Sequence, residues 1–163
     1  SELSNAFIIT NYKKLSSTSD MVGKVSFFGK TITGLTDDVR ISKRLNIPAS
    51  RLRGFQRGKV GPVENSDYIG GNYVSSLNFS ATLPNIVQGL DNLDVGVFVD
   101  AANVWGVDYD SSIDDKSTIR SSTGVALNLM TPIGPLSFSF ANALSKASTD
   151  KTETFRFNLG TQF

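Results

Sequence analysis

The 163-residue chain contains no cysteine and no histidine. Without cysteine there is no disulfide framework, no thiol nucleophile and no Cys-based zinc site. Without histidine the commonest general base and metal ligand is missing, and a Ser-His-Asp arrangement is impossible. A charge excess is missing too: 16 Lys and Arg stand against 15 Asp and Glu, a net charge of +1. A nucleic-acid binder would carry a basic excess, so no nucleic-acid partner is expected. No stretch approaches the roughly 18 consecutive apolar residues of a membrane-spanning helix. Ser1-Glu2-Leu3-Ser4 has neither a charged start nor an apolar run, so a processed protein or a cut-out fragment is expected. The length suits one domain.

What the chain does have is phenylalanine (11), glycine (14) and a side-chain period of two. At the end, Phe155, Phe157, Leu159, Thr161 and Phe163 alternate with Thr154, Arg156, Asn158, Gly160 and Gln162. Leu136, Phe138, Phe140 and Leu144 alternate with Ser137, Ser139, Ala141 and Ala143. Val125, Leu127 and Leu129 alternate with Gly124, Ala126 and Asn128. Leu93, Val95, Val97 and Val99 alternate with Asp94, Gly96, Phe98 and Asp100. Tyr73, Leu77 and Phe79 alternate with Asn72, Ser76, Asn78 and Ser80. Two earlier strands, about 5–14 and 22–33, are mixed in phase. The reading is all-β, with about seven strands.

Within the five clearly alternating strands, Asp94, Asp100, Arg120 and Arg156 all fall on the polar phase, and the apolar phase carries no charge except Glu153 at a strand start. A lipid-facing row requires this, because a charge at mid-bilayer costs ~2–4 kcal/mol. The polar phase is too polar for a dry core. Thr131-Pro132-Ile133-Gly134 reads as a tight turn. The connections 35–67, 106–118 and 145–151 are longer, so long loops collect at one end, as in outer-membrane barrels. The link 84–92 exceeds a minimal turn. A soluble sandwich or lipocalin-like barrel with the apolar phase inside remains open from periodicity alone.

Few residues suggest chemistry. Asp108, Asp110, Asp114 and Asp115 share a loop, but the sixth position from Asp108 is Ile113 and the twelfth is Ile119, so EF-hand spacing fails and a solvated acidic loop is expected. Gly70-Gly71 lacks a phosphate-loop context, and Asp37-Asp38 reads as a turn. No catalytic, metal or cofactor site is expected, and the chain is read as not an enzyme. The segment 35–67 is too long for a structureless loop in a compact domain. Within it, Arg51-Leu52-Arg53-Gly54-Phe55-Gln56-Arg57-Gly58-Lys59-Val60-Gly61-Pro62 is rich in cations and glycine. It reads either as a basic surface loop or as a loop folded into a lumen with one arginine paired to a wall carboxylate.

Four ordered motifs resemble the outer-membrane β-barrel assembly family, the BamA-type proteins of the bacterial surface antigen superfamily. Arg53-Gly54-Phe55 with Gly61-Pro62 and Tyr68-Ile69-Gly70-Gly71-Asn72 resembles the family's sixth external loop and following strand. Phe98-Val99-Asp100-Ala101-Ala102-Asn103-Val104-Trp105 resembles its Asp-Ala-Gly…Val-Trp strand. Thr131-Pro132-Ile133-Gly134-Pro135-Leu136-Ser137-Phe138-Ser139 resembles its Pro-Gly-Pro turn, and Phe155 to Phe163 its final strand with a terminal aromatic. Residues 1–50 are covered only by position. The resemblance implies an antiparallel transmembrane β-barrel. Residues 1–163 would be the C-terminal part of that one barrel domain, about strands 10–16 of about sixteen, with a long external loop at about 35–67. The family's first strands and its periplasmic POTRA domains would be absent. Seven such strands are not expected to close, which leaves edges at 4–14 and 152–163.

The resemblance further implies that Arg53, Gly54 and Phe55 enter the lumen and that Arg53 pairs with Asp100. Asn78 stands where the family often has a second acid; it is able to accept a hydrogen bond but leaves the pair more alone. Ile47-Pro48-Ala49-Ser50 and Ala102 depart from the family pattern. The implied function is non-enzymatic folding and insertion of nascent outer-membrane proteins in the outer membrane of a Gram-negative bacterium. Outer-membrane lipid, and accessory lipoproteins reached through POTRA domains, would be the other partners, and no cofactor is implied. The exposed edge, with Phe155, Phe157, Leu159, Gly160 and Phe163, would form a lateral seam that templates client strands. Alternatives are a two-partner secretion or TamA-type translocation barrel, or a soluble β-barrel binding module.

Overall fold

The computed structural model describes residues 1–84 and 86–160. The strands, in chain order, are β1 (Glu2–Lys14), β2 (Val22–Gly34), β3 (Val63–Glu64), β4 (Asp67–Tyr68), β5 (Tyr73–Pro84), β6 (Leu93–Trp105), β7 (Arg120–Thr131), β8 (Gly134–Ser145) and β9 (Phe155–Leu159). Seven of them form one antiparallel sheet in the order β1-β2-β5-β6-β7-β8-β9. β1 and β9 do not pair, so the sheet is an open wall with two edges among the described residues. Strands β1, β2, β5, β6, β7 and β8, each of 12 or 13 residues, match the reach of tilted membrane strands.

The two faces are inverted relative to a water-soluble protein. Val97, Val99, Phe79 and Phe140 face outward and stay exposed, whereas Asp100, Ser122 and Ser137 on the other phase are fully buried; Val99 is 45% exposed and its neighbour Asp100 0%. Pairing aligns the outward residues in rows such as Val25–Phe79–Val99 and Val97–Val125–Phe140–Phe155. Such rows suit hydrocarbon, not water. Tyr73 and Trp105 are register partners and stack at 5.7 Å at the long-loop end, where an interfacial aromatic belongs.

The connections segregate as the sequence suggests. Segments 15–21, 86–92 and 132–133 lie at one end; 35–72, 106–119 and 146–154 lie at the other. Within the longest segment, β3 and β4 form a hairpin whose central residues Asn65 (φ 50°) and Ser66 (φ 71°) both have positive φ, as a tight hairpin turn requires.

Several expectations need correction. The inner phase is not uniformly polar. Towards the long-loop end it carries Phe28, Ile32, Val74, Ala102 and Val104, which are buried with Val39, Leu45, Ile47, Leu52, Phe55 and Val60 of the loop. This explains the mixed phase of β2: Phe27 faces outward and Phe28 faces the loop, so both are apolar. The expected edge strand 152–163 begins later: among the described residues Phe155–Leu159 pair with β8, because residues 151–153 leave the sheet and pair with the loop instead, and 161–163 lie outside the described residues. A bulge in β8 at Leu144, where Ser121 and Ser122 oppose Ser145 and Ala143, also left no sequence signal.

Candidate functional site: a loop docked on the inner wall

Residues 35–72 fold back over the inner face of β2, β5 and β6. At the tip, the Arg53 guanidinium grips Asp100 through two nitrogens: Nε donates to Oδ2 at 2.7 Å and Nη2 to Oδ1 at 2.8 Å. The Arg53 backbone N–H also donates to Asp100 Oδ2, at 3.1 Å. The guanidinium carbon sits 3.6 Å from the centroid of the Phe98 ring, so its face is covered by an aromatic quadrupole. Planar fork geometry makes arginine, not lysine, the residue for this pairing.

Asn78 does not act as the expected acceptor toward this pair. Its amide nitrogen donates to Asp100 Oδ1 at 2.9 Å and to the Arg51 carbonyl at 2.8 Å. The pair is therefore not alone: Asn78 ties the carboxylate to the loop backbone. Arg51 donates in turn to Ser26 at 2.7 Å and to Asn78 Oδ1 at 3.4 Å. Gly54 lies at φ +89°, and a Cβ there would meet the Ala141 Cβ at 3.0 Å and the Ser122 Cβ at 3.3 Å, so only glycine lets the backbone approach this wall. Phe55, 2% exposed, anchors the loop's apolar core.

Further clamps hold the loop elsewhere. Asp150 is buried and accepts from Arg120 at 2.8 and 3.2 Å and from the Gly61 N–H at 3.1 Å. At the loop base, buried Arg44 pairs with Asp108 and donates to Asn72 at 3.0 Å and the Val39 carbonyl at 3.0 Å. Asp108 is thus a partner of the loop, which corrects the reading of 106–118 as simply solvated. Desolvation acts to raise the Asp108 pKa, but hydrogen bonds from Val39, Asn72 and Arg44, with the arginine's charge, outweigh it and hold the carboxyl below its usual value. Tyr109 donates to Glu64 at 2.5 Å, and that bond, with desolvation, raises the phenol's pKa.

The structure brings Arg53, Gly54, Phe55, Asp100 and Asn78 together at one point on the inner wall. Phe155, Phe157 and Leu159 sit elsewhere, exposed on the outer face of β9, where Phe155 and Phe157 lie 5.1 Å from Phe140 and Phe138 respectively. Gly160 follows with φ +80°. Phe163 lies outside the described residues. Sequence reasoning missed Arg44, Arg51, Asp150 and Arg156 as loop-docking residues. Arg120 and Arg156 were recognisable as inward-facing, but nothing in the sequence named their partners.

Residues 4–163 match the model of the Omp85 superfamily domain. The chain belongs to the Omp85 superfamily. Among its relatives, the outer membrane protein assembly factor BamA of Neisseria meningitidis serogroup B is 31% identical over 141 residues, covering 69% of this chain and 17% of that protein. BamA of Neorickettsia risticii is 29% identical over 117 residues, covering 70% and 16%. In three dimensions the Omp85 domain matches the crystal structure of BamA from Haemophilus ducreyi lacking POTRA domains 1-3. The TM-score is 0.85 at 27% identity, over 96% of this chain and 34% of that one. The chain thus spans less than a fifth of the length of these two curated relatives. The lipid-facing rows are those of a barrel wall in the outer membrane of a Gram-negative cell, which answers the question periodicity left open.

Proposed function

We propose that this Omp85 domain is the C-terminal part of one barrel that folds and inserts nascent outer-membrane proteins. It would do so by templating strands and not by bond chemistry. Its remaining strands and its POTRA domains would belong to the same longer protein. The observation that carries the reading is the combination of a firmly docked loop and an open edge. Arg53, Asp100 and Asn78 fix the loop inside, while β9, paired to β8 on one side, has a free backbone edge on the other among the described residues. An unpaired edge accepts an incoming strand by main-chain hydrogen bonding. Coverage of the assembly-factor relatives by the same residues supports this reading. Lipid would cover the Phe- and Leu-bearing outer face, and accessory lipoproteins would act through the periplasmic domains.

The test is a disulfide introduced between β9, at Asn158→Cys, and the first strand of the full-length barrel in proteoliposomes. A locked seam should abolish insertion of a barrel client, with recovery on reduction. Insertion that proceeds unchanged through a locked seam would refute the proposal. A client released in soluble form across the membrane, in place of an inserted one, would assign the barrel to translocation.

A further inference from the structure

β9 is held from outside by ring contacts and from beside by β8, but from inside mainly by one side chain. Arg156, in register with Ser139, turns inward with 12% of its side chain exposed. Its Nη1 donates to the Ala49 carbonyl at 2.8 Å and its Nη2 to the Phe55 carbonyl at 2.6 Å. Glu153 lies 3.4 Å from Nη2 and orients the fork. The two carbonyls flank the Arg53 turn on either side. The same cation therefore reads the loop only when the segment 49–55 has its docked shape. Beyond Arg156 loop and strand part, leaving a cavity of about 830 Å³ bordered by Asn46, Arg57 and Asn158. The next inward residue of β9, Asn158, makes no side-chain hydrogen bond among the described residues.

The chain just before β9 tells the same story. The Glu153 N–H donates to the Gly54 carbonyl at 2.9 Å, the Gln56 N–H to Lys151 at 2.9 Å, and the Lys151 N–H to Lys59 at 3.0 Å. Residues 151–153 are thus paired to the loop, and Arg156 extends that grip one step into the edge strand itself.

We infer that Arg156 is a positioning residue that latches the edge strand β9 to the docked loop, so that release of the loop tip also loosens the edge. The consequence for assembly rests on the seam reading above; the latch does not. The latch is tested by hydrogen exchange on the full-length protein in lipid nanodiscs. In Arg156→Met the amides of 155–159 should exchange at least about tenfold faster, the factor expected from losing even one charged hydrogen bond. The Arg53 amide, still held by Asp100, should exchange faster too, by no more than the factor seen in β9, because a contact that joins two elements stabilises both. Asp100→Asn should also speed exchange in β9, and should add nothing in the Arg156→Met background. Should Arg156→Met fail to give a heat-resistant barrel, Arg156→Gln, which keeps one short donor, replaces it in the same comparison. Exchange in β9 unchanged by loss of the guanidinium overturns the latch, as does a full effect of Asp100→Asn in the absence of Arg156. Client insertion is read separately: a loosened edge with unaltered insertion leaves the latch standing and overturns the seam reading.

Discussion

Replacing Asp100 with alanine removes the acceptor of four hydrogen bonds at once: three from Arg53 and one from Asn78. Asp100 is wholly buried and the Arg53 side chain is 9% exposed, so the variant strands a cation and an amide away from water. Stranding one partner of a buried pair costs ~3–5 kcal/mol. The loop limits that cost, because its tip is free to swing towards lumen water and rehydrate the guanidinium. A loss of about 3 kcal/mol, roughly a hundredfold shift towards the undocked tip, is therefore expected. The tip should loosen without expulsion of the whole loop, since Asp150 still holds Gly61 and the apolar core around Phe55 remains. Asp100→Asn should behave similarly, because one of its two ends becomes a donor facing other donors. The double variant Arg53→Met with Asp100→Leu should recover most of the loss, as no unpaired charge remains. Hydrogen exchange over residues 49–55 in the full-length barrel measures this directly. Exchange in Asp100→Ala that matches wild type would refute the account of the docking.

Asn78→Asp would place a carboxylate 2.9 Å from Asp100 and remove the donor to the Arg51 carbonyl; the loop tip should loosen at neutral pH, by roughly 1–3 kcal/mol in its docking equilibrium, and a tip as protected as in wild type would contradict the donor role given to Asn78. Asp108 has a depressed pKa when folded, so its contribution is present above the unfolded value near 3.8 and is lost as pH falls through the lower folded value. With a fluorophore on Arg40→Cys (the chain has no native cysteine), wild type and Asp108→Asn should differ in loop mobility at pH 6 and converge as the pH falls below the unfolded value and through the lower folded one; a constant difference would exclude Asp108 as the cause. Gly160→Val forces a β-branched residue to φ +80° with nothing within 4 Å to clash among the described residues, so the cost is backbone strain of about 1–3 kcal/mol. Seam opening measured by cross-linking should change, and an unchanged value would remove Gly160 from the seam.

The sequence by itself determined the wall. Strict period-two alternation, with charges confined to one phase, dictates strands whose other phase is apolar, and the positions of the turns dictate which end carries the long loops. The resemblance of its ordered motifs to the assembly family also named Arg53 and Asp100, each of which sits in a local feature: an arginine in a glycine-rich loop and an inward carboxylate on one strand. Sequence left β2 ambiguous because a strand covered by lipid outside and by a loop inside shows no alternation at all, as Phe27 and Phe28 demonstrate. Only the tertiary structure decided that the apolar phase faces outward, since alternation is the same whichever side is wet. It alone joined Arg44 to Asp108, Arg120 to Asp150 and Arg156 to the carbonyls of Ala49 and Phe55. Those partners lie between 30 and 107 positions apart, and a contact across such a separation depends on how the loop folds back, which no local pattern of residues encodes.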